Sequence, residues 1–183
     1  MQKLDHRETL NSIANLASTY IYQARSSSQK QERMTSLTDR IRDNVQISEE
    51  DMIQVATSLG KELIRLLLNL KWDNVPVTEG VFEAVAGNER SGKEVMALLL
   101  DQRGNEFQIT VEVVEAAAGN EYSGKEVMDL LLDQRGDEVQ ITAKVVESAA
   151  RNRGSGEEVM GLLLNRRSNG IIITLRLVQA LAK

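Results

Sequence analysis

The stretch ITVEVVEAAAGNEYSGKEVMDLLLDQRGDEVQ, residues 109–140, decides the fold, because it recurs on both sides of itself. Copies start at Val77 and Ile141, a half copy at Ile173 and a worn copy at Ile47. The starts at 77, 109, 141 and 173 are each 32 residues apart. A fixed period of this size marks a stacked array, in which one unit cannot bury its apolar face alone and its neighbours complete the core.

Each copy opens on an apolar residue and a hydroxyl: Ile47-Ser48, Val77-Thr78, Ile109-Thr110, Ile141-Thr142 and Ile173-Thr174. Ser and Thr are good helix N-caps, since the side-chain oxygen accepts an orphan backbone N–H. Four residues after the cap stand Met52, Phe82, Val114, Val146 and Val178. An apolar pair flanking a cap in this way is a hydrophobic staple and predicts a first helix in every copy. Val113, Val114 and Ala117 form its core face, with Ala116 and Ala118 beside them. Such small side chains permit the close approach of a neighbouring helix. Gly87-Asn88 and Gly119-Asn120 are expected to stop the helix, glycine by taking the left-handed conformation, and Asn152 to do so in the next copy.

A second helix is predicted to start near Ser91, Ser123 and Ser155 and to run through GKEVMALLLDQR, GKEVMDLLLDQR and GEEVMGLLLNRR. Val127, Leu130 and Leu131 mark one apolar stripe, Met128 and Leu132 an adjacent one, so the helix packs on two sides. Gly104 and Gly136 end it. The segments around Phe107, Val139 and Ile171 read as short extended connectors that pair between neighbouring units.

The units are therefore 47–76, 77–108, 109–140 and 141–172, with a half unit 173–183 that supplies one helix to cover Leu162, Leu163 and Leu164. In the worn first unit the loop between helices is shortened and Trp72 replaces the usual glycine region, as expected of a cap. Before the array, Leu10, Ile13, Leu16, Ala17, Tyr20 and Ala24 fall on one face of a helix, and Met34, Leu37 and Ile41 on a shorter one. The polar run 26–33 lies between them. The chain divides into an N-terminal helix pair, 1–44, and a helical repeat array, 45–183. The expected fold is all-α: an α-solenoid of helix-turn-helix repeats.

Composition agrees. Hydrophobic residues make up 42% of the 183, aromatic residues only 3%, and there is a single proline, so the core is aliphatic and nearly all of the chain is free to be helical. The absence of cysteine excludes disulfides, thiol nucleophiles and zinc–thiolate sites. A net charge of −5 argues against nucleic acid or an anionic membrane as partner. No apolar run approaches the ~20 residues that span a bilayer, and MQKLDHRETL lacks a signal-peptide core, so a cytoplasmic protein is expected.

Two resemblances add to this reading. TLNSIANLASTY, residues 9–20, with Gln23, Ala24 and Arg25, resembles the first helix of tetratricopeptide repeats of the kinesin-light-chain type. Ala24 stands where that family has glycine, and a polar run replaces its second helix. The array resembles the ankyrin plan of two short helices and a connector, and EVMALLLDQRGNEFQIT has the cadence of ankyrin's second helix, although the ankyrin TPLHxA signature is absent. Residues 45–183 are closer still to the degenerate repeats in C-terminal regions of fungal ankyrin-type and NTPase-containing NLR-like proteins. That resemblance implies a sensor or interaction region.

No motif carries chemistry. Gly87 with Gly92-Lys93, and Gly119 with Gly124-Lys125, have phosphate-loop spacing, but Glu94 and Glu126 stand where the hydroxyl belongs and a helix precedes the loop instead of a strand. They read as loops between helices. His6 is the only histidine and lacks companions for a metal site. No catalytic, cofactor or metal residues are assigned, and no enzyme is expected. The Met96, Met128 and Met160 series reads as core filling.

Recognition is expected where near-identical copies differ: Glu89 and Arg90, Glu121 and Tyr122, Arg153 and Gly154 in the loops, and Ala97, Asp129 and Gly161 on one face of the second helix. Varied exposed positions on a fixed frame are where solenoids bind. The sequence thus points to a non-catalytic scaffold for another protein or peptide. The alternative is a self-associating homodimer or larger homo-oligomer. Unit 109–140 carries eight acids and two bases, whereas unit 141–172 carries three acids and five bases, a contrast that favours head-to-tail contact.

Overall fold

The computed structural model describes residues 47–58 and 75–165, together with Asn11, Ala14, Asn15, Thr19, Glu32, Thr35, Asp39, Ile64, Arg65, Leu67 and Leu68. Among the described residues every regular element is helical and there is no strand. The chain forms two compact units, Met1–Val77 and Thr78–Lys183. The 44/45 boundary, Trp72 and the half unit 173–183 lie outside the described residues.

In the first unit, α1 (Glu49–Ser58) begins at a reciprocal cap. Asp51 N donates to Ser48 Oγ at 3.2 Å, and Ser48 N donates to Asp51 Oδ2 at 2.8 Å. Ile47 and Met52, the staple pair flanking that cap, are both buried. Ile64 and Leu67 are helical and fully buried, as the apolar stripe of a second helix requires. Ala14 is helical and buried.

The second unit contains α2 (Glu79–Ala86), α3 (Gly92–Arg103), a 3-10 turn (Gly104–Glu106), α4 (Val111–Gly119), α5 (Gly124–Arg135), α6 (Ala143–Arg151) and α7 (Gly156–Asn165). Each helix pair belongs to one repeat. α4 packs between α2 and α6, and α5 packs between α3 and α7, so like stacks on like. This is an α-solenoid of helix-turn-helix units repeating about every 32 residues.

The repeating apolar positions build one continuous aliphatic core. Val81, Val113 and Val145 are fully buried in the first layer, and Met96, Met128, Leu99 and Leu131 in the second. Each fully buried side chain of this size contributes about 1.5–3 kcal/mol. Phe82 takes the place of Val114 and Val146, and its ring stacks on Phe107 with centroids 3.7 Å apart. That contact seats the connector of its own unit on α2.

Four local expectations are corrected. Thr78, Thr110 and Thr142 occupy the extended cap conformation, but only Thr142 accepts a cap hydrogen bond, from Val145 N at 3.4 Å. The Thr110 hydroxyl is buried without a partner. The starts are fixed by backbone bonds such as Val114 N to Thr110 O, 3.2 Å, and by staples such as Ile109 with Val114, both buried. Second, the helix stops are not left-handed: Gly87 has φ −80°, and at the ends of α4 and α6 Asn120 and Asn152 have φ −73° and −70°. Third, the described connectors, around Phe107 and Val139, do not pair as strands; the first is held instead by Arg135, which bonds Gly104 O and Phe107 O. Fourth, Leu130 is half-buried, so the α5 stripe is narrower than expected.

The glycines that open the second helices are required by space. A Cβ on Gly124 would lie 2.7 Å from Ala117 O and 2.7 Å from Ser155 Oγ; on Gly156 it would lie 2.4 Å from Ala149 O. The first turn of each second helix therefore runs against the last turn of the first. At Gly161, inside α7, a Cβ meets nothing within 4 Å. Alanine at the two sites should act oppositely. Gly124→Ala should destabilise by about 1–3 kcal/mol through overpacking, and Gly161→Ala should stabilise by about 0.5–1 kcal/mol through helix propensity. Urea denaturation of the two variants checks the pair.

Candidate functional site

The loops between paired helices are held by a ladder of buried asparagines. Asn88, Asn120 and Asn152 are all buried, and each closes a turn on its own loop. Asn120 Oδ1 accepts from Tyr122 N at 3.1 Å and Ser123 N at 3.0 Å. Asn152 Oδ1 accepts from Gly154 N and Ser155 N, both at 3.0 Å. Asn88 Oδ1 accepts from Arg90 N at 2.9 Å and Ser91 N at 3.0 Å. This is the side-chain-to-backbone turn that short amides favour.

The amide nitrogen reaches the other way. Asn120 Nδ2 donates to Ala86 O at 2.9 Å and Asn88 O at 3.1 Å, both in the preceding repeat. Asn152 Nδ2 donates to Ala118 O and Asn120 O, each at 2.9 Å. The serine of each loop joins in: Ser123 Oγ donates to Asn88 O at 3.0 Å, and Ser155 Oγ to Asn120 O at 2.8 Å. Carbonyls at the ends of α2 and α4, which lack intrahelical partners, are thereby satisfied across the repeat junction.

The ladder leaves two residues between each Asn and Ser pointing outward. These pairs, Glu89 and Arg90, Glu121 and Tyr122, Arg153 and Gly154, are all exposed. Of the nine positions singled out by comparing copies, the structure brings together four. Glu121, Tyr122, Arg153 and Gly154 line a groove of about 410 Å³ between the second and third loops. The first turns of α5 and α7 complete it with Lys125, Glu126 and Glu158. Tyr122 is 71% exposed, the most exposed large apolar side chain among the described residues. Glu89 and Arg90 lie on the first loop, outside this groove. Ala97, Asp129 and Gly161 are half-buried on the second helices, and Asp129 pairs with Lys125 at 3.5 Å.

Gly154 explains why the loops converge there. A Cβ at that position would lie 1.9 Å from Glu121 O, so residue 154 contacts the preceding loop through its backbone. No other residue fits without moving the loop.

A second cleft, about 530 Å³, lies at the connectors and includes Phe107, Thr110, Arg135 and Glu138. Here Arg135 of one repeat clamps the connector of the one before: Nη1 donates to Gly104 O at 2.6 Å and Nη2 to Phe107 O at 3.0 Å. Arg135 Nε donates to Glu138 Oε1 at 2.7 Å, and Ile109 N donates to Glu138 Oε2 at 2.9 Å. Partial burial pushes the Glu138 carboxyl up. The bond from Ile109, the bond from Arg135 and the Arg135 charge together push it further down, so its pKa lies below the ordinary 4.5.

The ladder and the clamp escape a reading of one copy at a time. The available signal was Asn followed three residues later by Ser in three successive copies, kept even where Arg151 replaces the glycine before it. Among the described residues no group of His, Cys, Asp and Glu is placed to hold a metal ion, and no helix is long and apolar enough to cross a membrane. His6 lies outside the described residues.

A family model described as a domain of unknown function, DUF7104, matches residues 66–96, 98–128, 130–160 and 162–183. Its starts keep the 32-residue step, with the frame shifted to begin in the second helix. No curated protein and no solved structure matches the chain.

Two outcomes are expected. Asn120→Asp places a carboxylate against Ala86 O and Asn88 O; at neutral pH it should cost about 2–4 kcal/mol, and the deficit should shrink on acidification. Urea melts at several pH values measure this. Glu138 has a depressed folded pKa, so its stabilising contribution is present above about 4.5 and is lost as pH falls through the lower folded value. Glu138→Gln should therefore show a shallower acid-side loss of urea midpoint than the parent chain.

Proposed function

This chain belongs to the DUF7104 repeat family, and from that premise we propose that it is a non-catalytic protein-interaction scaffold whose loops between paired helices carry recognition. One observation carries the reading. Asn, Ser and the following Gly are the same in three loops and are used inside the fold, whereas the exposed pair between them is different in each loop: Glu-Arg, Glu-Tyr and Arg-Gly. Gly154 is fixed by its approach to Glu121 O; the other side chains of these pairs are free to be set by a partner.

In this reading the partner is another protein or a peptide, with no nucleic acid, membrane, cofactor or metal involved, and the setting is cytoplasmic. The resemblance of residues 45–183 to the repeats of fungal NLR-like proteins supports a finer proposal: the region is the sensor or recognition part of such a signalling protein. A second reading, self-association, is favoured by the charge contrast between the acidic unit 109–140 and the basic unit 141–172.

Light scattering coupled to size-exclusion chromatography, over a hundredfold range of concentration, separates the two. The scaffold reading expects a constant mass near 20.4 kDa. A mass that climbs toward twice that value, and falls again when salt is raised, overturns it in favour of a homo-oligomer held by charge.

A further inference from the structure

We infer that the groove between the second and third loops captures an arginine or lysine side chain of a partner peptide, with Tyr122 as its platform. The inference rests on the scaffold reading and deepens it. Three independent features converge on the groove.

The first is the aromatic ring. Tyr122 is 71% exposed in a chain whose other described aromatics, Phe82 and Phe107, stack on each other in the fold. An exposed ring face beside carboxylates attracts a cation by its quadrupole, and tyrosine is enriched among residues that dominate binding energy.

The second is charge. Glu121, Glu126 and Glu158 all line the groove, and none has an ion-pair partner among the described residues. Of the two cations there, Lys125 is already paired with Asp129, leaving Arg153 as the single counter-charge. A phosphate or an acidic peptide would meet more carboxylate than cation. A basic side chain finds complementary charge around it, and Arg153 remains for the partner's own carbonyl or carboxylate oxygens.

The third is the shape that Gly154 gives the groove. The first two loops carry Arg90 and Tyr122 at this position, whereas the third carries no side chain and can accommodate none, since a Cβ would meet Glu121 O. No side chain from residue 154 enters the groove beside Tyr122, and the groove's volume of about 410 Å³ suits one long side chain with its flanking backbone.

The test selects binders to the intact chain from a random linear peptide library and titrates a selected peptide onto the isotope-labelled protein, followed by NMR. The expected result is enrichment of arginine or lysine at one peptide position, with shifted amides at residues 121–126 and 153–158. Tyr122→Ala should weaken binding about fivefold or more, and Glu126→Gln with Glu158→Gln likewise. Replacing the peptide's cation with norleucine should have the same effect, while Asp101→Ala, at an exposed position outside the loops, changes nothing. Each substituted residue is exposed or half-buried, and circular dichroism confirms that the variants keep the parent's helix content. Binders enriched in acidic residues, or shifts confined to another surface, overturn the cation pocket and leave the scaffold reading standing. A library from which the chain enriches no binder overturns both.

Discussion

Everything in the array depends on a primary amide buried where two repeats meet. A buried amide with unmet hydrogen bonds costs several kcal/mol, so its position is tolerable only when every bond is made. Asn120 meets that demand by accepting from its own loop and donating to the repeat before it. Aliphatic contacts alone are tolerant of sliding, because one Val or Leu packs nearly as well as the next. The amide is not tolerant, and so it sets the register in which α4 meets α2 and α6 meets α4. Gly92 and Gly124 follow from it, since Ser123 and Ser155 of the next loop sit close to where their side chains would be.

The stack was legible in the sequence and its polar joints were not. Period and staple located the helices because both are local: Val113, Val114 and Ala117 share a helical face, and all three are buried. Asn120, read locally, is a helix-stop residue, and in its own loop it behaves as one. Its decisive partners, Ala86 O and Asn88 O, lie 34 and 32 residues away, beyond any reading confined to one copy. Gly124 was similarly ambiguous: glycine supplies both backbone freedom and the absence of a Cβ, and only the contact with Ala117 O shows which one is used. The connector clamp was hidden because Arg135 near a helix end has an adequate local explanation in the helix dipole.

For the candidate site, comparing copies found the outward pairs, since what the frame does not use is free to differ, Gly154 alone among them being fixed by the frame. It could not show that Glu121, Tyr122, Arg153 and Gly154 share one groove while Glu89 and Arg90 stand outside it. That grouping follows from the single approach of Gly154 to Glu121 O. The helix-face positions Ala97, Asp129 and Gly161 also differ between copies, but they are half-buried, which limits what they offer a partner.

The direction of the ladder has a consequence for how such proteins change. The bonds that Asn120, Asn152, Ser123, Ser155 and Arg135 send to the repeat before them all end on backbone carbonyls: Ala86, Asn88, Ala118, Asn120, Gly104 and Phe107. A backbone oxygen is there whatever the side chain. Polar fit at the junction thus asks little of the identity of the earlier repeat, and a unit gained, lost or shuffled by in-frame recombination arrives with its coupling already made. The interchangeable part is the whole unit, and new specificities can be assembled by reordering units as readily as by altering residues one at a time.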